Sequence, residues 1–174
     1  ILRREMWCAS AIWRGWNLPG ASPAIRRPKC APVGCGNGEL VRELMRGGHR
    51  GPYTGLDFSL TLLEIARHGW EDVPATFLQA DLNTANWDKR IIKSMPHPFD
   101  LVTAFATLHH IPGAGRRLTL LKKVHALLRP GGRFIHSEWQ FLNSDKLRLR
   151  IQPWSEAGFS NLSFGQVGPL RGAS

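Results

Sequence analysis

Val33-Gly34-Cys35-Gly36-Asn37-Gly38, followed by the amphipathic stretch Glu39 to Arg46 and then by the acid Asp57, decides how the chain is read. Glycines on alternate positions let a strand turn tightly into a helix while the backbone comes close to a ligand, because no Cβ stands in the way. A dinucleotide fingerprint would carry its third glycine one residue later, where this chain has Glu39. The spacing therefore favours a nucleoside ligand that lacks a diphosphate. Asp57 follows Gly38 by nineteen residues and closes the run Tyr53-Thr54-Gly55-Leu56, a position from which a carboxylate accepts from both hydroxyls of a ribose. The plainer alternatives are a simple strand-to-helix turn for the glycines and an ordinary turn carboxylate ahead of Ser59 for Asp57.

Five segments in this order resemble the class I S-adenosylmethionine-dependent methyltransferases: VGCGNG, YTGLDFS, FLQADL, FDLVTAFATLHHI and LLRPGGRFIHSEW. The resemblance runs from about Cys30 to Phe159. It implies S-adenosylmethionine as cofactor, bound by Gly34, Cys35, Gly36, Asn37 and Gly38 in the loop, with Asp57 and Phe58 at the next strand end. Asp81 and Leu82 would follow at the adenine, and Ala104 and Phe105 at the end of the fourth strand. Asp81 has its own bland reading, the opening of an Asp-Leu-Asn turn. One position departs from the family, which commonly has an acid two residues before Gly34, where this chain has Pro32. Proline there also removes a ladder N–H from what should be a central strand, so cofactor affinity is in question even if the fold survives.

Methyl transfer of the implied kind is a direct displacement, for which the protein supplies alignment, water exclusion and sometimes a base. His109 and His110, just after the fourth strand, are the candidate catalytic residues, since histidine titrates near neutrality. Their alternative is structural, one packing under the loop and the other capping a backbone group. His136 and Trp139 are candidates to line the acceptor pocket, with core or rim packing as the alternative for Trp139. HHIPGAGRR, LLRPGG, Trp139 and Pro153-Trp154 together look similar to the branch that methylates carboxymethyl-modified uridine at the tRNA wobble position. That resemblance implies tRNA as a partner and a carboxylate acceptor needing no base. Arg116 and Arg117 would then begin an RNA-facing helix, although helix-start arginines are usually just solvated.

The 174 residues suffice for one domain with a sizeable core. A formal charge of +10 invites a nucleic-acid reading, but half of it comes from residues 1–29, where six cations oppose Glu5. Cys8, Cys30 and Cys35 lack paired spacing, so neither a disulfide framework nor a metal site is expected. No apolar run is long enough to span a bilayer and no signal-peptide core appears, which makes a cytoplasmic location the default. Residues 1–29 and 161–174 show no helical or strand period, and both are expected to be out-of-frame or truncated sequence around an authentic domain at 30–160.

Within that domain, alternating signals predict an α/β fold, a Rossmann-like doubly wound and mostly parallel sheet with helices on both faces and its terminal strands missing or irregular. Strands are expected at Cys30 to Val33, Tyr53 to Leu56, Ala75 to Gln79, Phe99 to Phe105 and Arg133 to Trp139. Helices are expected from Glu39 to Arg46, stopped by Gly47-Gly48, from Ser59 to Gly69 with Leu60, Leu63 and Ala66 inward, and over Asp88 to Lys93. A last helix would bury Leu118, Leu121, Val124 and Leu128 and break at Pro130-Gly131-Gly132. Two other functions compete with methyl transfer. One is a basic RNA-binding or non-catalytic fragment; the other is a nicotinamide-dependent oxidoreductase, disfavoured by the loop spacing and by the lack of a Tyr-x-x-x-Lys pair.

Overall fold

Short apolar runs alternate with amphipathic stretches, and in the computed structural model, which describes residues 27–68, 75–95, 98–138, 143, 145–149, 151, 153 and 155, they form strands and helices in strict alternation. The elements are β1 (Cys30–Pro32), α1 (Glu39–Arg46), β2 (Tyr53–Asp57), α2 (Leu60–Arg67), β3 (Ala75–Gln79), α3 (Trp87–Ser94) and β4 (Phe99–Phe105). A 3-10 turn (Leu108–His110) leads to α4 (Ala114–Leu127), β5 (Leu128–Ser137) and the short α5 (Asp145–Arg148). All strand pairs are parallel, in the order β3-β2-β1-β4-β5. The order reverses between β1 and β4, so the loops after these two strands diverge and leave a crevice at their carboxyl ends.

Side chains alternate across the sheet and build two cores, one per face. Val41 and Leu44 of α1 and Leu63 and Ala66 of α2 pack with Cys30, Tyr53, Phe77 and Leu101. Trp87 and Ile91 of α3 and Leu120, Val124 and Leu127 of α4 pack on the other face with Ala31, Val33, Leu56, Val102 and Ala104. The doubly wound architecture expected from the sequence is therefore the one observed. Local signals hold as well: Ser59 caps α2 by accepting from Leu62 N–H at 3.4 Å, and α1 stops at Gly47-Gly48, with Gly48 at φ +92°.

Three expectations need correction. Leu118 and Leu121 are exposed, the former at 54%, whereas Leu120 and Leu127 are buried beside Val124. Leucines at 118, 120, 121 and 127 offer two stripes of helical spacing, and contact with the sheet and α3 selects the second. Leu60 likewise faces outward on the first turn of α2. Finally, α4 ends at Leu127, and Pro130-Gly131-Gly132 breaks no helix: Leu128 already pairs with Phe99, and the ladder resumes at Arg133 opposite Leu101. The Pro-Gly-Gly segment is a register shift inside β5. Gly69, Trp139, Trp154 and the segments 1–26 and 161–174 lie outside the described residues.

Pro32 occupies the central strand and marks a gap in it. Cys30 N–H donates to Pro52 O and Gly34 N–H to Leu56 O, so alternation assigns the N–H of residue 32 to the Thr54 carbonyl, and proline has none. The β1–β2 ladder is correspondingly reduced to Cys30 opposite Tyr53 and a bridge from Val33 to Leu56. Thr103, the β4 partner of Pro32, carries a buried hydroxyl with no hydrogen-bond partner among the described residues. Pro32→Thr supplies the missing N–H and a hydroxyl next to Thr103. Set against the extra freedom of the unfolded chain, it should stabilise the protein by about 1 kcal/mol. Urea denaturation measures this; an unchanged or lower midpoint contradicts it.

Candidate functional site

The glycine loop crosses the top of β1 and is bonded mainly toward β2. Gly34 N–H and Cys35 N–H both donate to Leu56 O at 2.8 Å, and Gly38 N–H to Cys35 O at 3.1 Å. Arg42 of α1 braces the turn from outside by donating to Asn37 O at 2.9 Å. Gly34, Gly36 and Gly38 all have positive φ, yet they serve different ends. A Cβ on Gly34 would overlap Thr107, and one on Gly38 would press on Ala66 at 3.1 Å, whereas one on Gly36 would meet none of the described residues within 4 Å. Gly34 and Gly38 thus allow close packing, while Gly36 turns bare main chain toward open space.

Asp57 anchors this loop. Its carboxylate, 8% exposed, accepts from Gly36 N–H through Oδ2 at 2.8 Å and from Ser59 N–H through Oδ1 at 3.0 Å. The turn-carboxylate alternative is realised in full, and each oxygen still has a second acceptor position. Phe58, 70% exposed, follows at the strand end. Asp81 is exposed and opens a turn, Oδ1 accepting from Asn83 N–H at 2.9 Å and from the Asn83 amide at 3.1 Å. Its Oδ2 has no donor among the described residues.

Other candidates point elsewhere. Ala104 is fully buried in the α3–α4 core, leaving only its main chain for a ligand, and Leu82 packs partly buried against the same core. Cys35 is buried against Gly55, where a Cβ would lie 2.9 Å from its Sγ, and burial, with the Asp57 charge, pushes its thiol up to about 12. Asn37 is exposed, and Phe105 is half-buried at the end of β4. His136 is exposed, its ring stacked 5.4 Å from that of Phe134 and its Nδ1 3.5 Å from Glu138 Oε1.

His109 and His110 follow β4 with ring centroids 4.2 Å apart. Burial, with the neighbouring His110, pushes His109 down to about 4. Burial also lowers His110, while the charge of Asp57 acts to raise it, so the two loops lie within Coulombic reach of each other across the crevice. His109 is consequently neutral at pH 7 and a weak base. An unfolded chain takes up this proton near pH 6.5, so the stability tied to neutral His109 is complete above that value and is lost as pH falls toward 4. His109→Gln should flatten this part of a Tm-against-pH profile; an unchanged slope contradicts the assignment.

Two residues at the crevice escaped the sequence reading, Thr107 and Ser137, as did the φ of +50° at Ala106, which continues the Ala104-Phe105 segment expected there. A short hydroxyl just beyond a strand end, able to bond its own backbone, was the available signal for Thr107. Nothing in the sequence marks the left-handed backbone of Ala106. Among the described residues, no group of His, Cys, Asp and Glu could hold a metal ion, and no helix is long and apolar enough to cross a membrane.

Comparison with known proteins gives one direction. A family model described as a methyltransferase domain matches residues 32–134. The chain is 29% identical over 137 residues to a demethylmenaquinone methyltransferase of Lactococcus lactis, covering 76% of this chain and 48% of that protein. It is 31% identical over 106 residues to a ubiquinone biosynthesis O-methyltransferase of Pseudomonas aeruginosa, covering 60% and 41%. A crystal structure of an S-adenosylmethionine-dependent methyltransferase from Mesorhizobium loti superposes with a TM-score of 0.52 at 28% identity, covering 74% of this chain and 52% of that one. The chain thus spans about half the length of the relatives it matches.

Proposed function

The chain belongs to the methyltransferase-domain family, and from that premise we propose that it transfers a methyl group from S-adenosylmethionine to an acceptor presented beside His109 and His110. The observation that carries this reading is the pairing of an unobstructed Gly36 with a carboxylate that fixes Gly36 N–H and retains acceptor capacity. Those spare positions on Asp57 suit the two hydroxyls of a ribose, and the unused Oδ2 of Asp81 suits an adenine amino group. Phe58 would cover the nucleoside, and the main chain of Ala104 and Phe105 would line the far wall. Cys35 and Asn37 contribute main chain, and Leu82 backs the turn at Asp81. Pro32 leaves the amino end of the cofactor without the acid the family resemblance leads one to expect, which weakens binding.

The cofactor brings an activated methyl group and its own leaving group. The protein's part is to hold the donor, exclude water and aim the acceptor. A neutral His109 can accept a hydrogen bond from an acceptor hydroxyl at pH 7 but is too weak a base to remove its proton outright. An acceptor already ionised or intrinsically nucleophilic suits such a site. The quinone pathways named for the relatives make a small aromatic molecule our leading acceptor class. A modified tRNA nucleoside is the second, supported by α4, which carries Arg116, Arg117, Lys122 and Lys123 and no acid. A cytoplasmic location and domain limits of about 30–160 belong to the same proposal.

Transfer of tritiated methyl from S-adenosylmethionine tests it, with a demethylated quinol and bulk tRNA as separate acceptors. Label in the quinol fraction supports the leading reading and label in tRNA the second. Label in neither, from protein shown to bind S-adenosylhomocysteine, would make the chain a non-catalytic fragment.

A further inference from the structure

The loop after β4 is gripped from both sides. Ala106 N–H donates to Ser137 Oγ of β5 at 3.0 Å. In the opposite direction, Thr107 Oγ1 lies 2.9 Å from Phe105 O and 3.2 Å from Val33 O of the neighbouring strand. Thr107 is buried, and its side chain fills the space that a Cβ on Gly34 would need. Between the two grips Ala106 keeps a left-handed conformation, which costs a non-glycine residue free energy and persists only where the surroundings impose it.

The remaining bonds of the glycine loop run the other way. Val33 N–H reaches β4 at Thr103 O, but beyond it the main-chain donors go to Leu56, to Asp57 or back within the loop. At the level of Gly34 the crevice between β1 and β4 is therefore spanned, among the described residues, by the Thr107 hydroxyl. One hydroxyl proton serves one carbonyl at a time, so Thr107 either closes its own loop on Phe105 or ties it to Val33.

We propose that Thr107 is a positioning residue. Its hydroxyl and its contact with Gly34 set the spacing between the loop that carries the cofactor and the loop that carries His109 and His110. This inference rests on the cofactor reading above. Removing the hydroxyl loosens the cofactor-side loop from behind, through Val33 O and Phe105 O, while Thr107 itself stays buried.

Calorimetric titration with S-adenosylhomocysteine, well below the melting temperature, tests the idea on wild type, Thr107→Val and Thr107→Ser. All three are checked as folded by circular dichroism, so a purely structural role would leave affinity unmoved. The expectation is an affinity loss of about tenfold in Thr107→Val, the scale of one lost hydrogen bond, with Thr107→Ser within about threefold of wild type. Wild-type affinity in Thr107→Val overturns the proposal, as does an equal loss in both variants, which would mean that retaining the hydroxyl does not preserve affinity. Absence of binding by the wild type overturns the cofactor reading, and this proposal with it.

Discussion

Asp57→Ala is expected to lower the free energy of unfolding by about 3 kcal/mol, because it leaves two main-chain donors in a buried turn without their charged acceptor. Gly36 N–H and Ser59 N–H both end on this carboxylate, which is 8% exposed. For a chain of 174 residues that loss corresponds to a fall in melting temperature of roughly 10 °C. Asp57→Asn should cost less, since its one carbonyl oxygen can still serve one of the two donors. Thermal unfolding of both variants gives the comparison. If Asp57→Ala melts like wild type, the carboxylate does not hold the loop.

Gly34→Ala should be at least as damaging, with an expected cost of about 3–4 kcal/mol. The left-handed conformation at φ +77° accounts for about 1–2 kcal/mol of that. Overlap of the new Cβ with Thr107 Oγ1, and its approach to Cγ2 at 2.8 Å, adds a comparable overpacking penalty. The two parts can be separated. Thr107→Ala in the same chain removes the obstruction but not the conformational cost, so the double variant should be more stable than the sum of the single effects predicts. Additive losses in a denaturant series would mean that the two loops do not touch at this point.

Much of this organisation is legible in the sequence because the signals are local. Ser59 predicts its own cap, Gly47-Gly48 its helix stop, and the apolar run Phe99 to Phe105 a strand buried on both faces. The failures arise where a choice depends on a distant partner. Leu118 and Leu120 compete for one helix face, and the sheet decides between them. Pro130-Gly131-Gly132 reads as a helix breaker until Leu128 is seen to pair with Phe99. At the site, the glycines and Asp57 are visible from spacing, but the division of labour among the glycines is not. It depends on Thr107 and Ala66, which lie far along the chain. Asp57 and Asp81 show a further limit, since a ligand carboxylate and a turn carboxylate look alike in sequence, and the bonds both make here are those of a turn.

In the proposed function a nucleoside cofactor rests on the main chain at Gly36. Gly36→Asn tests this, because asparagine tolerates a left-handed backbone and its Cβ would meet no atom of the described residues within 4 Å. Calorimetric titration with S-adenosylhomocysteine should show saturable binding to the wild type and at least a tenfold weaker response from this variant, at nearly unchanged melting temperature. Equal binding by both proteins would mean that the ligand does not rest on Gly36.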